Sequence, residues 1–240
     1  MIKISIASLV VGIDNRYDYI EKLSRDYLTE AEPDFTVRAD EADFELEERS
    51  GSKASPCPRY YLESLIIHRK IAEQLPKYNA FAFHGAAMRV GDKAYILTAP
   101  SGTGKTTHMR LWLDIFDDVS VINGDKPIIR IEDGRTYVYG APWRGKENYG
   151  GNIRAELSAV VFLSRSEENR ATAVNADDVS MQFFRQVYMP ESRVGLVKTM
   201  ALAGEVLRGV KRIALGCNMQ ADAATVARAA IENSKNNQNI

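Results

Sequence analysis

The segment Ala99-Pro100-Ser101-Gly102-Thr103-Gly104-Lys105-Thr106-Thr107 constrains this chain more than any other. An apolar run, Ala94-Tyr95-Ile96-Leu97, leads straight into it, and a helical pattern over about 105–116 leads out. Strand, glycine-rich turn and helix in that order form a cradle for a polyphosphate. Backbone N–H groups converge on the phosphate oxygens, and the helix N-terminus adds its positive dipole. Gly102 and Gly104 allow the tight turn and close approach, Lys105 supplies a cation, and the Thr106 hydroxyl suits a magnesium ion. Ser101, Thr103 and Thr107 complete the expected nucleotide-binding set. A Gly-x-Gly-Lys-Thr string arises by chance in roughly one chain of this size in a hundred. Ala99 stands where the usual eight-residue motif begins with glycine.

The surrounding pattern predicts an α/β domain. Leu62, Leu65, Ile66, Ile71, Ala72 and Leu75 recur at helical spacing until Pro76 stops them. Short β runs follow at 80–83 and 94–97, with a hairpin turn at Val90-Gly91-Asp92-Lys93 between them. A strand over 119–122 ends at Asn123-Gly124-Asp125, and Asp133-Gly134 marks a hairpin between 127–131 and 136–139. The near-continuous apolar run 157–163 reads as a buried central strand. Helices are expected at about 177–187, 191–208 and 220–233, with a strand at 211–215. Before all of these, residues 1–50 mix β-rich pieces, 2–11 and 35–38, with an acidic stretch at 41–48, and turn formers fill 50–58. The expected organisation is a β-rich N-terminal region, 1–55, packed on a P-loop domain, 56–233, with a disordered polar tail, 234–240.

Charge and cysteine usage narrow the partners. Lys+Arg 31 against Asp+Glu 32 leaves a net charge of -1, so no global positive field draws the chain to nucleic acid or to an anionic membrane, and neither is expected as a partner. Cys57 and Cys217 form no metal-ligand spacing and read as reduced thiols of a cytoplasmic protein. The apolar start is short and broken by Lys3, which fits a first strand rather than a signal peptide. A homo-oligomer is left open.

With these surroundings, the loop resembles that of HPr kinase/phosphorylase and of ATP-dependent phosphoenolpyruvate carboxykinase. Ser101-Gly102-Thr103-Gly104-Lys105-Thr106-Thr107 reads closely like the carboxykinase loop, and Asn123-Gly124-Asp125 stands where both groups carry an acidic segment. Phe83-His84-Gly85-Ala86-Ala87-Met88 matches in position the His-Gly that HPr kinases place before the loop. The likeness covers about 80–165 with specific motifs and the element order to about 233 more loosely. It implies a mixed sheet flanked by helices, ATP and Mg2+ as cofactors, and transfer of the γ-phosphate to a hydroxyl. The expected acceptor is a hydroxyl of a peptide, a small protein or a small molecule, with serine as one candidate, rather than HPr itself.

On this reading Lys105 and the loop amides hold the phosphates, Thr106 and Asp125 bind magnesium, and His84 or Asp125 handles the acceptor proton. The glycine-rich segment 142–152 is expected to close over the ligand. There Arg144 and Lys146 would offset charge at the γ-phosphate, and Glu147 would add a metal contact. Arg185 and Arg193, beside Tyr188-Met189-Pro190, could reach a phosphate but more often such residues are solvated. Two departures stand out: Gly124-Asp125-Lys126 offers one carboxylate where the family has adjacent aspartates, and no counterpart of the downstream phosphorylase stretch is found. The single aspartate keeps a second reading alive, a nucleotide-binding module or sensor without transfer activity. A carboxykinase-like activity on a small oxyacid ranks third, because its extra Lys, His and Arg ligands cannot be placed.

Overall fold

The computed structural model describes residues 1–50 and 57–234. The expected linker and the boundary at residue 55 fall largely on 51–56, and the expected disordered tail, 234–240, falls on 235–240 but for Ser234, so both lie largely outside the described residues.

The N-terminal region is smaller in β content than its sequence suggests. β1 (Ile2–Ile6) and β2 (Leu9–Asp14) form an antiparallel hairpin, and β3 (Phe35–Arg38) runs parallel to β2. The run 2–11, expected as one piece, is folded at Ala7 (φ 50°) and Ser8 (φ 55°). A two-residue hairpin turn with both central residues in this left-handed region is of the type that usually calls for Gly or Asn. Contacts from the main sheet hold it instead: Arg130 Nη1 donates to the Ala7 carbonyl at 2.5 Å, and Ser8 Oγ lies 2.9 Å from the Tyr139 hydroxyl.

Helices supply the rest of this region: α1 (Asp18–Leu23) and α2 (Glu41–Ser50). The acidic stretch is therefore helical. Its apolar signal is little more than Phe44, fully buried, while its carboxylates pair with cations elsewhere: Glu41 with Arg16 and Arg59, Glu47 with Arg69, and Asp43 with Lys70. With so few apolar residues, no helical period is readable. The long helix α3 (Arg59–Gln74) then buries Leu62, Ile66, Ile67 and Ile71 in one cluster with Ile4, Val11 and Ile13, and with Ile128, Tyr139 and Trp143 of the main domain.

The main sheet is mixed and, among the described residues, nine-stranded. Its strands are β4 (Ala80–Ala82), β5 (Ala86–Val90), β6 (Lys93–Thr98), β7 (Val119–Asn123), β8 (Ile128–Glu132), β9 (Arg135–Tyr139), β10 (Arg154–Arg165), β11 (Arg170–Ala173) and β12 (Lys211–Cys217). The order is β4-β8-β9-β10-β6-β5-β7, and β12 branches from β10 with β11 paired to it. Near its start β10 pairs antiparallel with β9, and further along the same edge it pairs parallel with β12. β6 lies parallel to β10 on the opposite edge. The hairpin expected at 90–93 joins β5 to β6, whereas the run 80–83 pairs with β8. Thus 80–90 is two strands, with His84-Gly85 at the corner between them. β11 had no clear sequence signal, since Arg-Ala-Thr-Ala offers little apolar contrast.

Helices cover both faces. α4 (Lys105–Ile115) and α7 (Asp222–Asn233) pack on Tyr95, Leu97, Val161 and Ile213 through Met109, Trp112, Ala224, Ala227 and Ile231. On the other face α5 (Ala176–Phe184) and α6 (Arg193–Gly209) close over Phe81, Phe83, Ile96 and Phe162 through Val179, Phe183, Ala203 and Val206. The architecture is mixed α/β, with a small three-stranded sheet at the N-terminus. Among the described residues no helix is long and apolar enough to cross a membrane.

Candidate functional site

β6 ends at Thr98, and the chain turns through the loop 99–104 before α4 opens at Lys105. The left-handed positions of this loop fall on Gly102 (φ 78°) and Gly104 (φ 120°), where a side chain would be strained. Ala99 has no positive φ, so replacing the motif's first glycine costs the loop no conformational freedom it needs. Lys105 folds back along the turn, and its Nζ donates to the Ala99 carbonyl at 2.9 Å. Desolvation holds the Lys105 ammonium below its usual pKa, although the Asp125 charge acts the other way.

Asp125 follows β7 and is set by Asn123, which is fully buried. The Asn123 Oδ1 accepts the backbone N–H groups of Asp125 (2.9 Å) and Lys126 (2.7 Å), while its Nδ2 donates to the Ala141 carbonyl at 2.9 Å. This side-chain turn aims the carboxylate into the cleft. Burial pushes the Asp125 pKa up, but the hydrogen bond from His84 and the charges of Lys126, His84 and Lys105 outweigh it, so the carboxyl sits below the usual range.

His84 reaches the same point from the corner between β4 and β5. Its Nε2 lies 3.4 Å from Asp125 Oδ1, and its Nδ1 lies 2.9 Å from Gln186 Oε1. The main chain is clasped on both sides: His84 N–H donates to the Gln186 carbonyl at 2.8 Å, and Gly85 N–H to the Asp125 carbonyl at 3.0 Å. A Cβ at Gly85 would stand 3.0 Å from the Leu97 carbonyl oxygen, so the residue after the histidine must be small.

The segment 142–152 forms the facing wall. Gly124 N–H donates to the Tyr149 carbonyl at 2.9 Å and Gly151 N–H to the Ile122 carbonyl at 3.2 Å, which stitches the segment to the end of β7. Trp143 is buried beneath it, its Nε1 donating to the Ser64 carbonyl at 2.9 Å. Arg144 is largely buried, paired with Asp26 at 2.6 Å and lying over the Tyr27 ring at 5.3 Å. Its charge is thus shared with the N-terminal region. Lys146 is exposed with no partner among the described residues, and Glu147 lies 3.9 Å from Arg110.

A cavity of about 1120 Å3 gathers Ser101, Gly102, Gly104, Lys105, Thr106, Thr107, His84, Asp125, Arg144, Lys146 and Glu147 along its walls. Thr103 alone of the expected set faces elsewhere, its hydroxyl donating to the Pro100 carbonyl at 2.8 Å. Arg193 opens α6 and lines neither this cavity nor its neighbour, whereas Arg185 lines the neighbouring one. Three contributors carry no local sequence signature: Gln186, the turn-forming side chain of Asn123, and the N-terminal wall with Lys22, Arg25 and Asp26. Among the described residues no group of three or more His, Cys, Asp and Glu side chains could hold a metal ion. The oxygen donors at hand, Thr106 and Asp125, nonetheless fit magnesium, which usually takes one or two carboxylates and completes its shell with phosphates and water.

Among solved structures the chain is similar to the HPr(Ser) kinase/phosphatase from Coxiella burnetii, at 9% sequence identity and a TM-score of 0.39, over 63% of this chain and 88% of that one. No protein-family model matches the chain. No curated protein matches it either.

Proposed function

We propose that this chain binds Mg·ATP in the loop 99–107 and transfers the γ-phosphate to a hydroxyl, such as a serine of a peptide or small protein. The observation that carries this is the meeting of Lys105, Thr106, Asp125 and His84, from three separate stretches of sequence, on one cavity. Phosphoryl transfer demands positioning and charge neutralisation more than covalent chemistry from the protein. The loop amides and Lys105 hold the β- and γ-phosphates. Thr106 and Asp125 would hold magnesium, which when bound neutralises phosphate charge, with Glu147 at the rim. The acceptor oxygen attacks phosphorus, its proton passes to Asp125 or to Nε2 of His84, and ADP leaves. Lys146 and Lys126 remain available to offset developing charge, while Arg144, held by Asp26, keeps the covering segment in place.

The test is γ-labelled ATP with magnesium and a library of serine peptides and small alcohols. Label should appear on an acceptor with the wild-type chain and fall at least about 100-fold with Asp125→Asn, the range of a lost proton acceptor. Undiminished transfer by Asp125→Asn would sink the assignment. A second reading, a nucleotide-binding module without transfer, is favoured by the presence of Lys126 where a second carboxylate would stand. ATP binding with no labelled acceptor would decide for it.

A further inference from the structure

The cavity at the phosphate loop is larger than a nucleotide alone requires. Its volume of about 1120 Å3 exceeds the ~300–1,000 Å3 of ordinary small-molecule pockets, which leaves room for a second reactant beside Mg·ATP. Part of its lining comes from α1 and α3. α1 presents Tyr19 and Leu23, and α3 presents Tyr61 and Leu65, each pair spaced i, i+4 and so on one helix face. The Tyr19 and Tyr61 rings meet edge to face with centroids 6.3 Å apart, which joins the two pairs into one apolar ledge. This ledge borders the reacting groups. His68, next along α3 after Leu65 on the same side, feels the charges of Lys126 and Asp125 and meets the Trp143 ring at 4.9 Å.

The same lining carries more cations than its own carboxylates answer. Asp26 is taken by Arg144 at 2.6 Å, and Glu147 lies 3.9 Å from Arg110. Lys105 and Asp125 are committed to phosphate and magnesium in the reading above. Lys22 pairs with Asp18 at 3.7 Å, a contact of little strength because the two side chains are 71% and 83% exposed. Arg25, Lys126 and Lys146 have no hydrogen-bond or ion-pair partner among the described residues. Lys22 and Arg25 belong to the N-terminal region, which has no part in handling the phosphates.

We infer that α1, the turn after it and α3 form the docking surface of the phosphoryl acceptor, and that this acceptor is an acidic peptide segment, a serine with Asp or Glu beside it and a leucine or aromatic side chain close by. The inference rests on the phosphoryl-transfer reading above. The apolar side chain leaves water on the ledge of Tyr19, Leu23, Tyr61 and Leu65. The carboxylates answer Lys22, Arg25 and the cations of the main domain, which steers and orients the segment. Its hydroxyl is then left at Asp125 and His84. Cations from three stretches of sequence, with four apolar side chains between two helices, make a wider surface than a small oxyacid covers, and this favours a peptide.

Fluorescence anisotropy of labelled serine peptides on the full chain, with magnesium and a non-hydrolysable ATP analogue, reads docking apart from transfer. One peptide set carries leucine and several Asp or Glu around the serine, and a second has Asn and Gln in place of the acids. The acidic set should bind at least about tenfold tighter, and the gap should narrow as salt is raised. Lys22→Glu combined with Arg25→Glu, both at exposed positions, should abolish most of that gap and leave affinity for the ATP analogue within about twofold of wild type. Arg25→Lys should keep it. Equal binding of the two sets, or a preference unaltered in the double variant, overturns the inference. Displacement of the acidic peptide by an equal concentration of citrate also overturns it, since the surface would then suit a small oxyacid. Acidic peptides that dock yet take no label from γ-labelled ATP would instead overturn the transfer reading, so the two failures are distinct.

Discussion

His84 Nε2 stands 3.4 Å from Asp125 Oδ1, and this pair joins two corners of the sheet, after β4 and after β7, at the mouth of the phosphate loop. Asp125 is ionised more readily than a free aspartate because His84, Lys126 and Lys105 together outweigh the effect of burial. A carboxyl with a depressed folded pKa contributes stability above its unfolded value of about 4 and loses it as pH falls through the folded value. Asp125→Asn should therefore lower the thermal midpoint at pH 7, and the difference from wild type should shrink as pH drops below about 4. A difference that is constant with pH would contradict the electrostatic account of this pair.

Gln186 holds His84 by both main chain and side chain. The Gln186 carboxamide oxygen lies against Nδ1 and so turns Nε2 toward Asp125. Gln186→Leu should leave ATP binding intact, lower transfer about tenfold, as loss of an orienting partner does elsewhere, and yield mixed ring tautomers in nitrogen NMR spectra. Gln186→Glu keeps an acceptor and should restore the wild-type ring nitrogen signals. One unchanged tautomer and an unchanged rate in Gln186→Leu would show that the contact orients nothing.

Arg144 is a buried guanidinium answered by the half-exposed carboxylate of Asp26. Asp26→Ala leaves that group without its partner, a change that costs about 1–3 kcal/mol. Chemical denaturation should report the loss. Release of the 142–152 segment should appear as faster hydrogen exchange at Gly145 and Lys146, and unchanged exchange there would separate the ion pair from control of the segment.

Two further histidines contribute to the acid limit, and one of them, His68, feels the charges of Lys126 and Asp125. Burial pulls His108 down to about 4 and His68 to about 3, so both are neutral in the folded chain. His108 accepts from Trp112 Nε1 at 3.1 Å, which needs the neutral ring. The unfolded chain binds these protons from about pH 6.5 downward while the fold resists them, so stability falls as pH drops from about 6.5 to about 4. For His108 the loss is on the order of 3 kcal/mol. His108→Gln, which can still accept from Trp112, should flatten this dependence in pH-dependent unfolding. An unaltered slope would remove His108 as its source.

The parts of the site that were legible in the sequence are those encoded by neighbouring residues. The loop 99–107 carries its own strand and helix, and Asp125 ends a β-branched run, so both could be placed from local pattern. Gln186 lies 102 residues beyond His84 and has no pattern that joins them. Asn123 looked like part of a turn, while its control of Asp125 depends on three hydrogen bonds formed only on folding. The Ala7-Ser8 turn was hidden because distant side chains, those of Arg130 and Tyr139, stabilise a backbone that the local residues disfavour. In the same way α2 is anchored through one aromatic side chain and ion pairs to other segments, which leave no hydrophobic period.

The most direct measurement is calorimetric titration of Mg·ATP into the full chain and into Lys105→Ala. A saturable heat for one site per chain in the wild type, abolished in the variant, is what a phosphate-binding loop at 99–107 requires. Equal binding by both, or no heat with the wild type, would contradict it.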